Sequence, residues 1–113
     1  MLILTALASE SLHGYGVIQR VATLSDDRVR LRPGTLYGAL DRLTGEGLVE
    51  ADREEIVDGR LRRYYRLTDD GADRLTVEVD RLRRTADAAT ERLRARAAIR
   101  RTRLTRTAEV RYA

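Results

Sequence analysis

Residues 32–50 read RPGTLYGALDRLTGEGLVE. Leu36, Leu40 and Leu43 recur at helical spacing, yet glycines stand at 34, 38, 45 and 47. A glycine inside a helix costs about 1 kcal/mol relative to alanine, so their placement asks for a reason. At about 100° per residue the three leucines fall within about 60° of one another and define a core face. The opposite face carries Gly34, Gly38, Asp41, Arg42 and Gly45. Two readings compete. Gly34 eases helix entry, Gly45 ends the helix and Gly38 is drift, or else a face poor in side chains lets the backbone approach a bulky partner closely. On the second reading the free N–H groups and partial positive charge of the helix start add an anion site. Arg42 is then the outward cation of the helix interior and the leading base or phosphate contact. Tyr37 flanks the core face, with its hydroxyl free to reach phosphate.

The rest of the chain is placed around this helix. LILTALA at 2–8 suits a short buried helix, and residues 13–24 give a second, with Val17, Ile18, Val21 and Leu24 at helical spacing. Ser25-Asp26-Asp27 is a turn cluster, and Val29-Arg30-Leu31 alternates as a short strand would. Pro33 opens the third helix in the first-turn position that suits it, and Gly45 and Gly47 close it. Two alternating runs then flank Asp58-Gly59, a strong two-residue hairpin signal. That loop sets Val57 opposite Arg60, Glu55 opposite Arg62 and Glu54 opposite Arg63; opposite-charge pairs of this kind each contribute roughly 0.2–1 kcal/mol. Tyr65 and Leu67 fall on one face of the hairpin, where Tyr65 should pack on the core, and Arg60, Arg62, Tyr64 and Arg66 fall on the other.

Thr68 caps a fourth helix with Asp69 and Asp70 in its first turn. From there Leu75, Val79, Leu82, Ala86, Ala89 and Leu93 step by alternating fours and threes, a heptad seam. The spacing predicts a helix over 69–100, roughly 48 Å long, too long to bury its seam on a small domain and so suited to a second copy in a homodimer. Beyond Ile99 the apolar period fails and the end reads as frayed. Helix, helix, short strand, helix, hairpin and long helix make a mainly α fold with a small β-hairpin. This is the winged helix-turn-helix order, with residues 1–68 as a DNA-binding domain and 69–113 as a C-terminal dimerisation helix with a basic tail.

Composition narrows the function. All 22 basic residues among 113 are arginine, cysteine is absent, and His13 is the single histidine. Disulfides and thiolate metal sites are thereby excluded, and one imidazole cannot build a metal site alone. No cofactor is implied, and with no acid–base constellation an enzyme is not expected. Any ligand pocket would be aliphatic and tyrosine-lined, since Trp and Phe are absent. No apolar run approaches the roughly 20 residues that span a bilayer, and the opening MLILTALA lacks a basic leader, so a cytoplasmic protein without membrane partner is expected. Residues 1–80 hold 11 Arg against 15 acids, whereas residues 81–113 hold 11 Arg against 3. The basic excess that invites an anionic partner thus lies in the last third.

Within the first 80 residues the local patches decide. Arg32 stands where a capping Ser, Thr or Asp is expected and its charge opposes the helix dipole, a defect that a phosphate would turn to advantage; Arg28 and Arg30 precede it. The alternative is a solvated arginine loop. On the hairpin, Arg60 at the tip, Arg62 and Tyr64 suit a groove or backbone contact, while Glu54, Glu55 and Asp58 offer a competing role in cross-strand ion pairs.

Three motifs carry a family resemblance: LTALASESLHGYGVI from Leu4, PGTLYGALDRLTGEGLVE from Pro33, and GRLRRYYRLTDDG from Gly59. With the long last helix they cover nearly the whole chain, and it resembles the PadR family of bacterial transcriptional regulators, of the short type with one long C-terminal helix. The resemblance implies a dimeric winged-helix protein, usually a repressor, that binds palindromic operators in double-stranded DNA and dimerises through its last helix. Thr35, Leu36 and Tyr37 match the family signature at the recognition helix, and His13, Gly14 and Tyr15 the signature of the second helix; His13 reads as a helix-start or packing residue. Relatives often carry Ser where Arg32 stands and Pro where Gly38 stands, and commonly begin several residues earlier. Some relatives bind planar drugs between tryptophans at the dimer interface, a mode this Trp-free chain does not support, so any small-molecule inducer is of unidentified chemistry. The resemblance makes Arg30, Arg32, Gly34, Thr35, Tyr37, Gly38, Arg42, Arg60, Arg62 and Tyr64 the expected DNA-contacting set. The rival reading is a winged-helix protein-interaction module that does not read DNA, for which the acidic balance of residues 1–80 speaks.

Overall fold

The computed structural model describes residues 1–112, with side chains through Arg106. Its elements are α1 (Leu2–Ala6), β1 (Leu12–His13), α2 (Gly14–Leu24), α3 (Pro33–Gly45), β2 (Val49–Val57), β3 (Arg60–Leu67) and α4 (Asp69–Tyr112). The chain divides into two units, Met1–Glu78 and Val79–Ala113.

The first unit is built around the apolar faces that the spacing predicts. Leu36, Leu40 and Leu43 of α3 are buried, with Leu36 and Leu40 fully enclosed together with Val17 and Val21 of α2 and Val49 of β2. Leu4 and Ala6 of α1, Leu7, Leu48 and Tyr65 complete the core. Burying each such leucine or valine contributes about 1.5–3 kcal/mol, which offsets the glycines that α3 carries on its other side.

The sheet has the order β1-β3-β2, all antiparallel. The expected hairpin register holds: Val57 lies opposite Arg60, Glu55 opposite Arg62 and Glu54 opposite Arg63. Asp58 and Gly59 both take positive φ, at 52° and 75°, the geometry that lets a two-residue loop follow the strand twist. Between Ala51 and Glu54 the register slips, so Asp52 and Arg53 together face Tyr64, a bulge that bends the wing.

Three expectations are corrected. Val29–Leu31 is not a strand: the Val29 N–H donates to Ser25 Oγ at 3.0 Å, and Val29 and Leu31 pack on the core without joining the sheet. The third strand is instead Leu12–His13, which pairs with Tyr65 and Tyr64; two residues are too few to show alternation. The first helix ends at Ala6, not residue 8. The fourth helix does not fray after Ile99 but runs on to Tyr112. After Gly71 it meets no Gly or Pro, and its alanines and arginines are strong helix formers, so helicity outlasts the apolar period; residue 113 lies outside the described residues.

The junction into α4 is tightly made. Thr68 caps as expected, its Oγ accepting the Gly71 N–H at 2.9 Å. The same hydroxyl donates to the Gly47 carbonyl at 2.6 Å, and the Thr68 N–H donates to the Leu48 carbonyl at 3.1 Å. Gly71 is buried against that segment: a Cβ there would fall on the Leu48 carbonyl oxygen and 2.7 Å from Leu67 Cδ1.

Candidate nucleic-acid interface

The glycine face of α3 is open. A Cβ added at Gly34, Gly38 or Gly45 would meet nothing within 4 Å, and Asp41 and Arg42 between them are exposed. Arg32 occupies the N-cap with extended φ and ψ of −82° and 150°, and no side chain caps the helix start. With Pro33 lacking an N–H, the amides of Gly34 and Thr35 are left for an external acceptor. Thr35 is exposed beside them.

Tyr37 leans toward α2. It is 47% exposed, and a Cβ at Gly14 would lie 2.5 Å from its hydroxyl oxygen, so glycine at 14 is what admits the phenol. That approach joins α3 to a groove lined by His13, Gly14 and Tyr15 from the start of α2, by Tyr37, and by Val57, Asp58, Arg60 and Arg62 from the wing. Three separate sequence motifs thus converge on one surface. Tyr15, 63% exposed, also lines this groove although it lies outside the expected contact set, and its HGYG setting is the sequence signal that points to it.

The wing sorts its arginines. Arg63 pairs with Glu54 at 3.1 Å, and Arg66 with Glu50 at 2.8 Å and Asp52 at 3.3 Å. Glu55 lies opposite Arg62 but bonds Arg53, its neighbour two residues back on the same strand, at 2.9 Å. Arg60 and Arg62 enter no ion pair among the described residues, and neither do Arg32 and Arg42; Arg30 reaches Asp27 at 3.7 Å. Tyr64 is less available than expected. It is half-buried, its ring meets His13 edge-on at 5.5 Å, and the Arg53 guanidinium stacks on it at 4.0 Å.

Burial, and then the positive charge of Arg62, hold the His13 imidazole below its ordinary value, with Glu55 opposing. The fold therefore favours the neutral ring, and the unfolded chain takes up the proton more readily. Stability from this source is fully present above the unfolded value of about 6.5 and is lost as pH falls through the lower folded value. Because the chain has one histidine, an NMR titration of its imidazole is unambiguous. The expected midpoint is below about 6.5; a midpoint at or above it would show that the ring is not shielded as described.

Of the expected dimerisation seam, Leu75 already packs on the core of its own chain. Val79 is half-buried, Ala86 and Ala89 are exposed, and Leu82 and Leu93 are 51% and 64% exposed.

Three helices, a short third strand and a hairpin wing define a winged-helix protein, with α3 in the position of the recognition helix. The transcriptional regulator PadR-like family model matches residues 3–77, and the chain belongs to that family. The family is one of transcriptional regulators, not of enzymes. The chain is 42% identical over 74 residues to the transcriptional regulator Rv3488 of Mycobacterium tuberculosis, an overlap of 66% of this chain and 65% of that one. It superposes on a PadR family transcription regulator from Clostridium difficile R20291 with a TM-score of 0.67 and 26% identity, covering 81% of this chain and 94% of the other. It also resembles Bacillus subtilis PadR in complex with operator DNA, with a TM-score of 0.61 and 25% identity over 69% of this chain and 45% of that one. No helix among the described residues is long and apolar enough to cross a membrane.

Proposed function

We propose that this chain is a cytoplasmic transcriptional repressor that binds a palindromic operator in duplex DNA as a homodimer. Residues 1–68 form the DNA-binding domain, and residues 69–113 carry the dimerisation seam. The observation that carries the reading is the α3 face, open at Gly34, Gly38 and Gly45, with Arg32 and Arg42 outside every ion pair among the described residues. The likeness to a PadR caught on operator DNA supports the same assignment. In this reading α3 enters the major groove, Arg42 meets a base edge or phosphate near its last turn, and Arg32 and the amides of the helix start hold a phosphate. Arg60 and Arg62 approach from the wing.

The two arginines differ in what they contribute. Arg42→Ala is expected to cost about 1–3 kcal/mol on the operator and little on scrambled duplex, which relaxes specificity. Arg32→Ala is expected to weaken all duplexes alike and to lower the magnitude of the salt slope by about 1. Fluorescence anisotropy with the chain's own promoter region and a scrambled duplex measures both. Equal affinity of the unmutated protein for the two duplexes at low salt would overturn the reading. Together with a tight protein partner, it would favour an interaction module, to which the 15 acids against 11 Arg in residues 1–80 lend some support.

A further inference from the structure

Residues 92–106 of α4 contain seven arginines and no Asp or Glu. A helical cation is ordinarily offset by a carboxylate three or four residues away, and at that spacing the sequence offers none to Arg92, Arg96, Arg100, Arg101 and Arg103, whereas Arg94 has Glu91 and Arg106 has Glu109. The arginines are not spread evenly. At about 100° per residue, Arg92, Arg96, Arg103 and Arg106 fall within about 80° of one another, with Arg100 beside them. Arg92, Arg96, Arg100 and Arg103 surround a shallow surface hollow floored by Ala95 and Ile99. Arg94 and Arg101 lie on the opposite side. Every residue from Arg92 to Arg106 is exposed. The helix is held through this stretch, with Thr102 and Thr105 hydroxyls donating to the Ala98 and Arg101 carbonyls at 3.0 Å each. The charges therefore stand at fixed intervals along about 21 Å of helix.

We infer that this arginine stripe is a second, sequence-independent binding site for the phosphate backbone of duplex DNA. The choice of DNA over another polyanion rests on the regulator function proposed above. Two observations favour it. The cations are all arginine, whose planar fork takes phosphate oxygens in pairs. Trp and Phe are absent from the chain, and the opposite side of the stretch carries Arg94 and Arg101 rather than the apolar face an interfacial membrane helix needs. The stripe falls outside residues 3–77, the part matched by the family model.

The test compares the full chain with a variant carrying Arg92→Gln, Arg96→Gln, Arg103→Gln and Arg106→Gln. Glutamine is about as good a helix former as arginine. Binding to the promoter duplex and to a scrambled duplex of equal length is followed across a salt series. The expected result is an equal fold-loss on both duplexes, with the magnitude of the slope of log K against log salt lower by about 3–4 per chain. A matching four-lysine variant is expected to keep the slope, and it serves as the measurement should the glutamine variant misfold. Arg94→Gln with Arg101→Gln is expected to change the slope little. An unchanged slope in the four-glutamine variant, or an equal loss per charge in the Arg94/Arg101 variant, would overturn the stripe as a DNA site. So would arginine-dependent binding to vesicles of phosphatidylserine and phosphatidylcholine with no change on DNA. The scrambled duplex reports on the stripe, whereas the operator-to-scrambled ratio reports on the regulator function, so the two fail separately.

Discussion

Gly71→Ala is expected to destabilise the unit formed by residues 1–78 by about 3 kcal/mol, the upper part of the range for overpacking a tight site. The added methyl has no room. It would meet the Leu48 carbonyl oxygen, a backbone atom fixed by the Thr68 N–H, and Leu67 Cδ1 at 2.7 Å. Relief would need the first turn of α4 to move away from the start of β2, which breaks the Thr68 bonds to Gly47 and Leu48. For a domain of this size the loss corresponds to a fall in melting temperature of roughly 12–24 °C. Tyrosine emission follows it, since Tyr65 is buried in that core. Gly38→Ala is the control: the same methyl meets open space inside a helix, and stability should hold or rise by up to about 1 kcal/mol. Equal melting temperatures for the two variants would mean that Gly71 is not pinned as described.

Gly71 also marks where the sequence stops being legible. The elements that repeat a period over several residues were readable: the Leu36, Leu40, Leu43 face, the Asp58-Gly59 hairpin with its register, and the Thr68 cap. Each is a local signal with its own geometry. What escaped depends on residues far apart in the chain meeting in space. Leu12–His13 is a strand only because β3 offers it an edge. Arg53, in the bulge opposite Tyr64, stacks on that ring and bonds Glu55 on its own strand, so the expected Glu55–Arg62 pair gives way and Tyr64 is covered. Gly14 carries meaning through Tyr37, and Gly71 through Leu48. The open face of α3 could be projected from sequence, whereas its union with Tyr15 and the wing in one groove could not.

Leu82→Asp is expected to convert the proposed dimer to monomers at micromolar concentration, as measured by sedimentation. The seam residues are not equivalent. Leu75 is packed on its own core, so a charge there would unfold the first unit and confuse the result. Leu82 is 51% exposed in the single chain, so an aspartate at this position is solvated in the monomer and penalised only when a second helix covers it. Burying an unpaired carboxylate costs several kcal/mol even after relaxation, and two copies meet at a symmetric seam, so the penalty is counted twice. Loss of the leucine contacts adds about 1.5–3 kcal/mol per chain. The consequence for DNA is larger than any single contact. Two linked binding units gain roughly 10²–10⁴ in avidity over one, so affinity for a two-half-site operator should fall by about that factor while affinity for one half-site is unchanged. A dimer that persists through Leu82→Asp would place the meeting of the two copies on a different surface of the chain. A monomer that keeps full operator affinity would show that the palindrome is not read by two copies.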